Sequence, residues 1–451
     1  MEKTDVLVIG GSVAGVVAAT SGKSSYPEKE FLVIRKQSMV LVPCGIPYIF
    51  GSLKSMDKNV MSDTVLTNAD IKLDIGEVVS IDKENKTCKT AAGLEIGWEK
   101  LVLATGSTPI VPQWLKGASQ ENVFTISKEK DYLENLQRSL PNFQKVIVIG
   151  GGFIGVEIAD EINKLGKEVT VIEILPHVLG LAFDEEIAIK AQEVLISRGV
   201  KVKTGAGVKE ILGDGKASGV LLNNGEEVAA DAVILSMGYH PNTKLAQEAG
   251  LSVNRLGAIR VDEYMRTSDD PNIFAVGDCA EKRHFITRKV NNVMLASTAG
   301  AEARTAGMNL YKLSSVKAFL GTIAIFSTAF GDRGFGAAGI TEREAIREGF
   351  DVITGAFEGI DRHPGTQPGT NKQFVKLIAA RECGLILGGE VAGGPGTGEL
   401  INLIGLAIQN KMNICSILSS QIGTHPLLTA PPTAYPFIKA AEVISRKFCK
   451  Q

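Results

Sequence analysis

The sequence has six cysteines and no CxxC pair. Cys44, Cys88, Cys279, Cys383, Cys415 and Cys449 are scattered along 451 residues. Such usage argues against a zinc site or a disulfide framework and suits a reducing cytoplasm. Long apolar runs are missing as well. The most apolar tract, FLGTIAIFSTAFG at 319–331, has 13 residues, short of the roughly 20 needed to cross a bilayer. The start, MEKTDVLVIGG, enters a strand pattern by Asp5, so no signal peptide is expected. Neither sign of charge dominates: 48 basic against 50 acidic residues leave a net charge of −2. That balance points away from nucleic acid and anionic membranes as partners. Disorder is not expected, because 44% hydrophobic residues suffice to build packed cores. A chain this long exceeds one core, and two or three domains are expected.

What is present is a feature that occurs twice. TDVLVIGGSVAG (4–15) and KVIVIGGGFIG (145–155) each read as a short apolar strand, a glycine turn and the start of a helix. A second strand follows each, FLVIRK (31–36) and EVTVIEI (168–174), giving two strand–helix–strand units of the dinucleotide-binding type. The glycines let the backbone turn tightly and approach a pyrophosphate, which then rests on the helix amino terminus. One such turn serves equally as a ligand-free corner. Two copies about 140 residues apart, both in strand–helix–strand context, imply two dinucleotides brought together, a flavin and a nicotinamide.

Three further segments close strands on glycine: KLVLATGSTP (100–109), DAVILSMGYHPN (231–242) and PNIFAVGDCA (271–280). Asp278, at the end of the third, suits a hydrogen bond from a ribityl hydroxyl or, equally, a helix N-cap. Beyond residue 325 the texture changes. Strands broken by one helix, then the amphipathic stretches GELINLIGLAIQNKM and TAYPFIKAAEVISRKF, indicate a separate α+β domain without a nucleotide signature.

The order of motifs is first fingerprint, Cys44, ATG, second fingerprint, GxxPN, GD and α+β tail. In this it resembles the pyridine nucleotide–disulfide oxidoreductases over nearly the whole chain. It is most similar to their single-cysteine branch: coenzyme A disulfide reductases, NADH-dependent persulfide or polysulfide reductases, NADH oxidases and NADH peroxidases. The resemblance implies an α/β fold with two Rossmann-like domains and a carboxy-terminal α+β dimerisation domain. An FAD domain would comprise 1–115 and 246–322, an NAD domain 116–245, and the dimerisation domain 323–451. It also implies a cytoplasmic homodimer using FAD and NADH, with no metal, no nucleic acid and no membrane. The candidate cofactor-binding residues are Gly10, Ser12, Ala14, Gly15, Arg35, Lys36, Val79, Ala104, Thr105, Gly106, Gly150, Gly152, Phe153, Ile154, Gly155, Glu173, Gly238, Gly277, Asp278 and Ser297. Glu173 is expected to hold the NAD ribose.

Cys44, in LVPCGIPYIFG (41–51), is the candidate nucleophile. Dithiol relatives carry a second cysteine five residues on, where this chain has Ile49. A single thiolate must hold its second sulfur on a bound partner or pass through a sulfenic acid. Pro47 suits a first helical turn, so Cys44 is expected at a helix amino terminus whose dipole lowers its pKa. The bland alternative is a small buried hydrophobe. Glu157, one turn into the second fingerprint helix, is expected near nicotinamide and flavin, with a solvated helix charge as the alternative. His425, in a His-Pro near the end of the chain, and His363 are candidates for an acid–base group supplied across the dimer.

Some positions depart from the family pattern. Ser12 replaces a fingerprint glycine. Arg35 replaces the acidic residue expected on the FAD ribose, and stacking on adenine or pairing with the pyrophosphate is expected of it instead. Thr366 and Gln367 stand where coenzyme A disulfide reductases carry paired tyrosines. Three functions stay open: NADH-driven reduction of a low-molecular-weight disulfide, persulfide or polysulfide; NADH oxidase or peroxidase activity; and electron delivery from NADH to a protein partner.

Overall fold

The computed structural model describes residues 2–448; Cys449 lies outside them. The first apolar run forms the strand Glu2–Ile9, with Val6, Leu7 and Val8 fully buried. A strand apolar on both faces belongs at the centre of a parallel sheet, and there it lies. Phe31–Arg35 flanks it on one side and Glu95–Leu103 on the other, both parallel to it. Ile273–Ala275 pairs, also parallel, with the end of Glu95–Leu103, beyond the residues that Thr87–Thr90 pairs with. A strand from beyond residue 270 thus completes the sheet begun at residue 2. On this sheet the helices Val13–Ser25 and Ala296–Met308 pack together through Ala18, Ala19, Ala303 and Ala306, all buried. Small side chains allow the close approach.

A second, five-stranded parallel sheet is built from the other copy. It is ordered Lys201–Lys203, Glu168–Ile172, Lys145–Ile149, Ala232–Leu235 and Val123–Thr125. Past residue 325 five antiparallel strands form the third layer, with Ile386–Gly393 in the middle and buried along all eight residues. The helices Thr397–Gln409 and Pro436–Phe448 seal its core. The α/β architecture with two Rossmann-like sheets and an α+β tail is therefore as expected.

The apolar tract 319–331 lies in a loop and the strand Phe326–Phe330. Among the described residues no helix is long and apolar enough to cross a membrane. One expectation needs correction. Pro47 does not open an α-helix; residues 43–49 form two three-residue 3₁₀ turns, Pro43–Gly45 and Pro47–Ile49. Pro47 has no N–H to give the Pro43 carbonyl, so the Pro43–Gly45 turn cannot continue into it as an α-helix, and Pro47 instead opens the second turn.

Candidate active site

The glycine turns set the floor. Gly10 has φ +113°, and a Cβ there would lie 2.1 Å from the Ala104 carbonyl oxygen. A Cβ on Gly15 would meet the Gly10 oxygen at 1.8 Å. Gly150 and Gly155 repeat both constraints in the second sheet. Only glycine lets strand, turn and helix close this tightly. Ser12 is the N-cap of the first helix, yet its side chain makes no capping bond, which leaves the hydroxyl free for a phosphate.

A cavity of about 1230 Å³ runs from this turn to the junction of all three sheets. It is lined by Gly10, Ser12, Ala14, Arg35, Lys36 and Val79 at one end. Ala104, Thr105, Gly106, Gly277 and Asp278 line its middle, and Cys44, Phe153, Ile154 and Glu157 its far end. Gly15, Gly150, Gly152, Gly155, Glu173, Gly238, Ser297 and His425 do not line it. Gly15 and Gly155 act beneath the turns instead. The Ser297 hydroxyl donates to the Ile325 carbonyl at 2.7 Å, and the Gly238 carbonyl accepts from Ile110.

Arg35 is 4% exposed and its guanidinium makes four hydrogen bonds. It donates to both carboxylate oxygens of Asp63, at 2.6 and 2.8 Å, and to the carbonyls of Gln37 and Ser38. What it offers the cavity is its aliphatic stem, packed on Gly11. Glu173 accepts from the backbone N–H of Gly151 at 2.6 Å and of Leu175 at 2.8 Å. It thus braces the second glycine turn from the end of its neighbouring strand, where a ribose would reach it.

Asp278 accepts from Ser107 at 2.7 Å and Lys128 at 2.9 Å, both on Oδ2. Its other oxygen is left for a ligand hydroxyl. Burial alone would raise this carboxyl, but Lys128 and the two hydrogen bonds hold it below the usual range. Beneath the turn, the buried Glu302 accepts from the Gly277 N–H at 2.9 Å. A flavin dinucleotide fits this cradle: turns that a Cβ would fill, a free hydroxyl and a half-used carboxylate.

Cys44 opens onto the cavity while its surroundings are largely protein. Asn59 ties its turn down by donating to the Val42 carbonyl, and Gly45 leaves room for that amide. Farther along, Glu161 accepts from the N–H groups of Gly51 and Ser52 and from the Ser52 hydroxyl. The cysteine loop is thereby pinned to the helix Phe153–Asn163 of the second nucleotide fold. The thiol lies within a three-residue 3₁₀ turn, not at the amino terminus of an α-helix. Burial first and the charge of Glu157 second push its pKa up, with Lys128 opposing. The expected depression is therefore corrected.

Glu157 is not a solvated helix charge. It is half-buried and accepts from the Thr328 hydroxyl at 2.6 Å. Burial lifts its pKa to about 7, while the hydrogen bond from Thr328 restrains the rise. The site therefore pairs a thiol with a carboxyl that titrates near neutrality. Sequence reasoning missed Lys128, Thr328, Tyr48 and Glu161. Tyr48 stood four residues from Cys44; the others carried no local signal.

His425 is exposed, its Nδ1 accepting from the Leu427 N–H. His363 lies beside the same loop, donating from its backbone to the Pro426 carbonyl at 3.0 Å and facing the Thr429 carbonyl through Nδ1. Neither reaches the cavity of its own chain. Thr366 and Gln367 sit on an adjoining turn.

Two glycine-turn folds, a cavity joining them and a thiol at their meeting point define an oxidoreductase that uses a flavin and a pyridine nucleotide. The chain belongs to the pyridine nucleotide-disulphide oxidoreductase family: residues 4–303 match that family and residues 325–435 its dimerisation domain. It is 33% identical over 398 residues to an NAD(P)H coenzyme A polysulfide/persulfide reductase of Pyrococcus horikoshii, covering 87% of this chain and 88% of that one. An NADH oxidase of Enterococcus faecalis is 30% identical over 440 residues, covering 94% and 96%. Among solved structures, an NAD-dependent persulfide reductase from A. fulgidus superposes with a TM-score of 0.90 at 30% identity, covering 99% of this chain and 84% of that one. The protein is thus an FAD- and NAD(P)H-using enzyme.

Proposed function

We propose that the protein uses NADH to reduce the sulfur–sulfur bond of a low-molecular-weight persulfide, polysulfide or disulfide, with Cys44 as nucleophile. One observation carries this reading. Among the described cysteines only Cys44 lines the cavity, beside Glu157 and next to the residues of the second nucleotide fold. Cys88 and Cys279 are buried, and Cys383 and Cys415 lie in the third layer. Bound FAD supplies the route by which an electron pair from NADH reaches sulfur. The chain does the rest. The Cys44 thiol gives up its proton and attacks one sulfur, forming a mixed disulfide and releasing a thiolate. The two electrons then cleave that mixed disulfide, returning Cys44 and a second thiol. Glu157, half-protonated near pH 7, is placed to take the proton from Cys44.

A homodimer completes the scheme. His425 lies exposed beside Leu427 and Leu428, which are 50% and 75% exposed. Presented by a second copy, it would protonate the leaving thiolate. A division into 1–115 with 246–322, 116–245 and 323–451 would give each cofactor its own fold. The NADH oxidase relatives keep oxygen or peroxide as a second acceptor class.

The test is the Cys44→Ser variant. It should lose persulfide, polysulfide and disulfide reduction while binding FAD and accepting hydride from NADH. Intact-mass measurement before and after dithiothreitol should reveal a removable adduct on the wild type alone. Extra sulfur atoms favour persulfide or polysulfide, a coenzyme A mass that disulfide, and one oxygen the oxidase class. Full sulfur-reducing activity in Cys44→Ser overturns the proposal.

A further inference from the structure

A second cavity, of about 690 Å³, lies away from the cysteine site in the segment that completes the first sheet. Its volume falls within the ~300–1,000 Å³ of small-molecule sites. Its rim carries Arg255, Arg260, Arg283 and Lys289, four cations around one hollow in a chain whose net charge is −2.

The floor is rigid. Glu281, 8% exposed, accepts from Asn254 Nδ2 at 3.0 Å and from Arg283 at 2.9 Å. The Asn254 side-chain oxygen in turn accepts from the N–H groups of Leu256 and Ala258. Bonds from Ile259 to Cys279 and from Glu281 to Ile259 tie the backbone beneath. The floor therefore needs no reorganisation before a ligand arrives.

The charges are not balanced. Arg283 is paired with Glu281, and Lys289 with Glu348. Asp269, next to the lining residue Ser268, is occupied by the N–H and hydroxyl of Ser252. No ion pair forms to Arg255 or Arg260 among the described residues, and both are exposed. Two guanidiniums without an ion-pair partner, on the rim of a hollow whose floor is tied down, offer the planar, bidentate donors that phosphate oxygens accept. A carboxylate ligand would satisfy one fork; neighbouring phosphates satisfy two.

We propose that this cavity is a binding site for a small phosphorylated ligand carrying two adjacent phosphate groups. It is separate from both glycine turns. It stands independently of the sulfur chemistry proposed for Cys44.

Pyrophosphate is the probe, titrated calorimetrically into the FAD-loaded protein with NAD⁺ at saturation, so that both glycine turns are filled. The wild type should bind one pyrophosphate per subunit. The Arg255→Ala/Arg260→Ala double variant should bind at least about tenfold more weakly, since each charge-assisted hydrogen bond lost costs on the order of a factor of ten. Both side chains are exposed, so the variant should fold, as unchanged flavin absorbance and an unchanged NADH KM will verify. No binding by the wild type at millimolar pyrophosphate, or equal affinity in the double variant, overturns the proposal.

Discussion

Replacing Glu157 by glutamine removes one negative charge beside the Cys44 thiol and leaves an amide oxygen to accept from Thr328. The consequences follow from the carboxyl's position. Holding it near pH 7 rather than at its ordinary 4.5 means that its ionised form costs the folded state about 3 kcal/mol. The folded protein binds this proton more tightly than the unfolded chain does. Its contribution to stability is therefore complete below pH 4.5 and disappears as pH rises through about 7. Glutamine does not titrate, so between about pH 4.5 and 7 the melting temperature of Glu157→Gln should fall less than that of the wild type. The thiol responds too. The Glu157 charge is the second cause, after burial, of its raised pKa. Without that charge the pKa should drop toward that of an ordinary thiol. The assay is the pH dependence of iodoacetamide alkylation of the dithiothreitol-treated, FAD-loaded protein, with Cys44→Ser to subtract other thiols. In the wild type the thiol should ionise at a pH where Glu157 already carries its charge. In Glu157→Gln the curve should move to lower pH. Superimposed curves, or a shift to higher pH, would refute the coupling.

NADH should exceed NADPH in kcat/KM, because the Glu173 carboxylate at the end of the second nucleotide strand repels a 2′-phosphate; equal values would show that Glu173 does not read the ribose. His425→Ala should leave flavin reduction by NADH intact and slow sulfur turnover by ~10²–10⁴-fold, as expected for a lost general acid, and normal turnover would make His425 a turn residue. Gly15→Ala should purify without flavin absorbance, since its Cβ would fall 1.8 Å from the Gly10 carbonyl oxygen; a yellow protein would show that the turn can open at little cost.

Much of this protein is written in short stretches. The two nucleotide folds could be read directly because their signal is local: an apolar strand, glycines where no Cβ fits, and a helix, all within about a dozen residues. Cys44 and Glu157 were legible for a similar reason, each lying at a short, countable distance from a glycine turn. The state of those groups was another matter. Local sequence around Cys44 pointed to a helix amino terminus and a lowered pKa, whereas two 3₁₀ turns and a buried neighbourhood raise it.

The causes come from far along the chain. Thr328 reaches Glu157 across 171 residues, and Lys128 reaches Asp278 across 150. Asp63 occupies Arg35, whose place in the sequence suits the adenine or the pyrophosphate. A residue's chemical identity is fixed by its codon, but burial, charge and hydrogen bonding depend on which elements pack around it. By itself the sequence determined that this chain folds around two dinucleotides with a cysteine near the first. Only the tertiary structure decided that the cysteine meets a carboxyl titrating near pH 7, because that pairing exists only where three separately encoded layers converge.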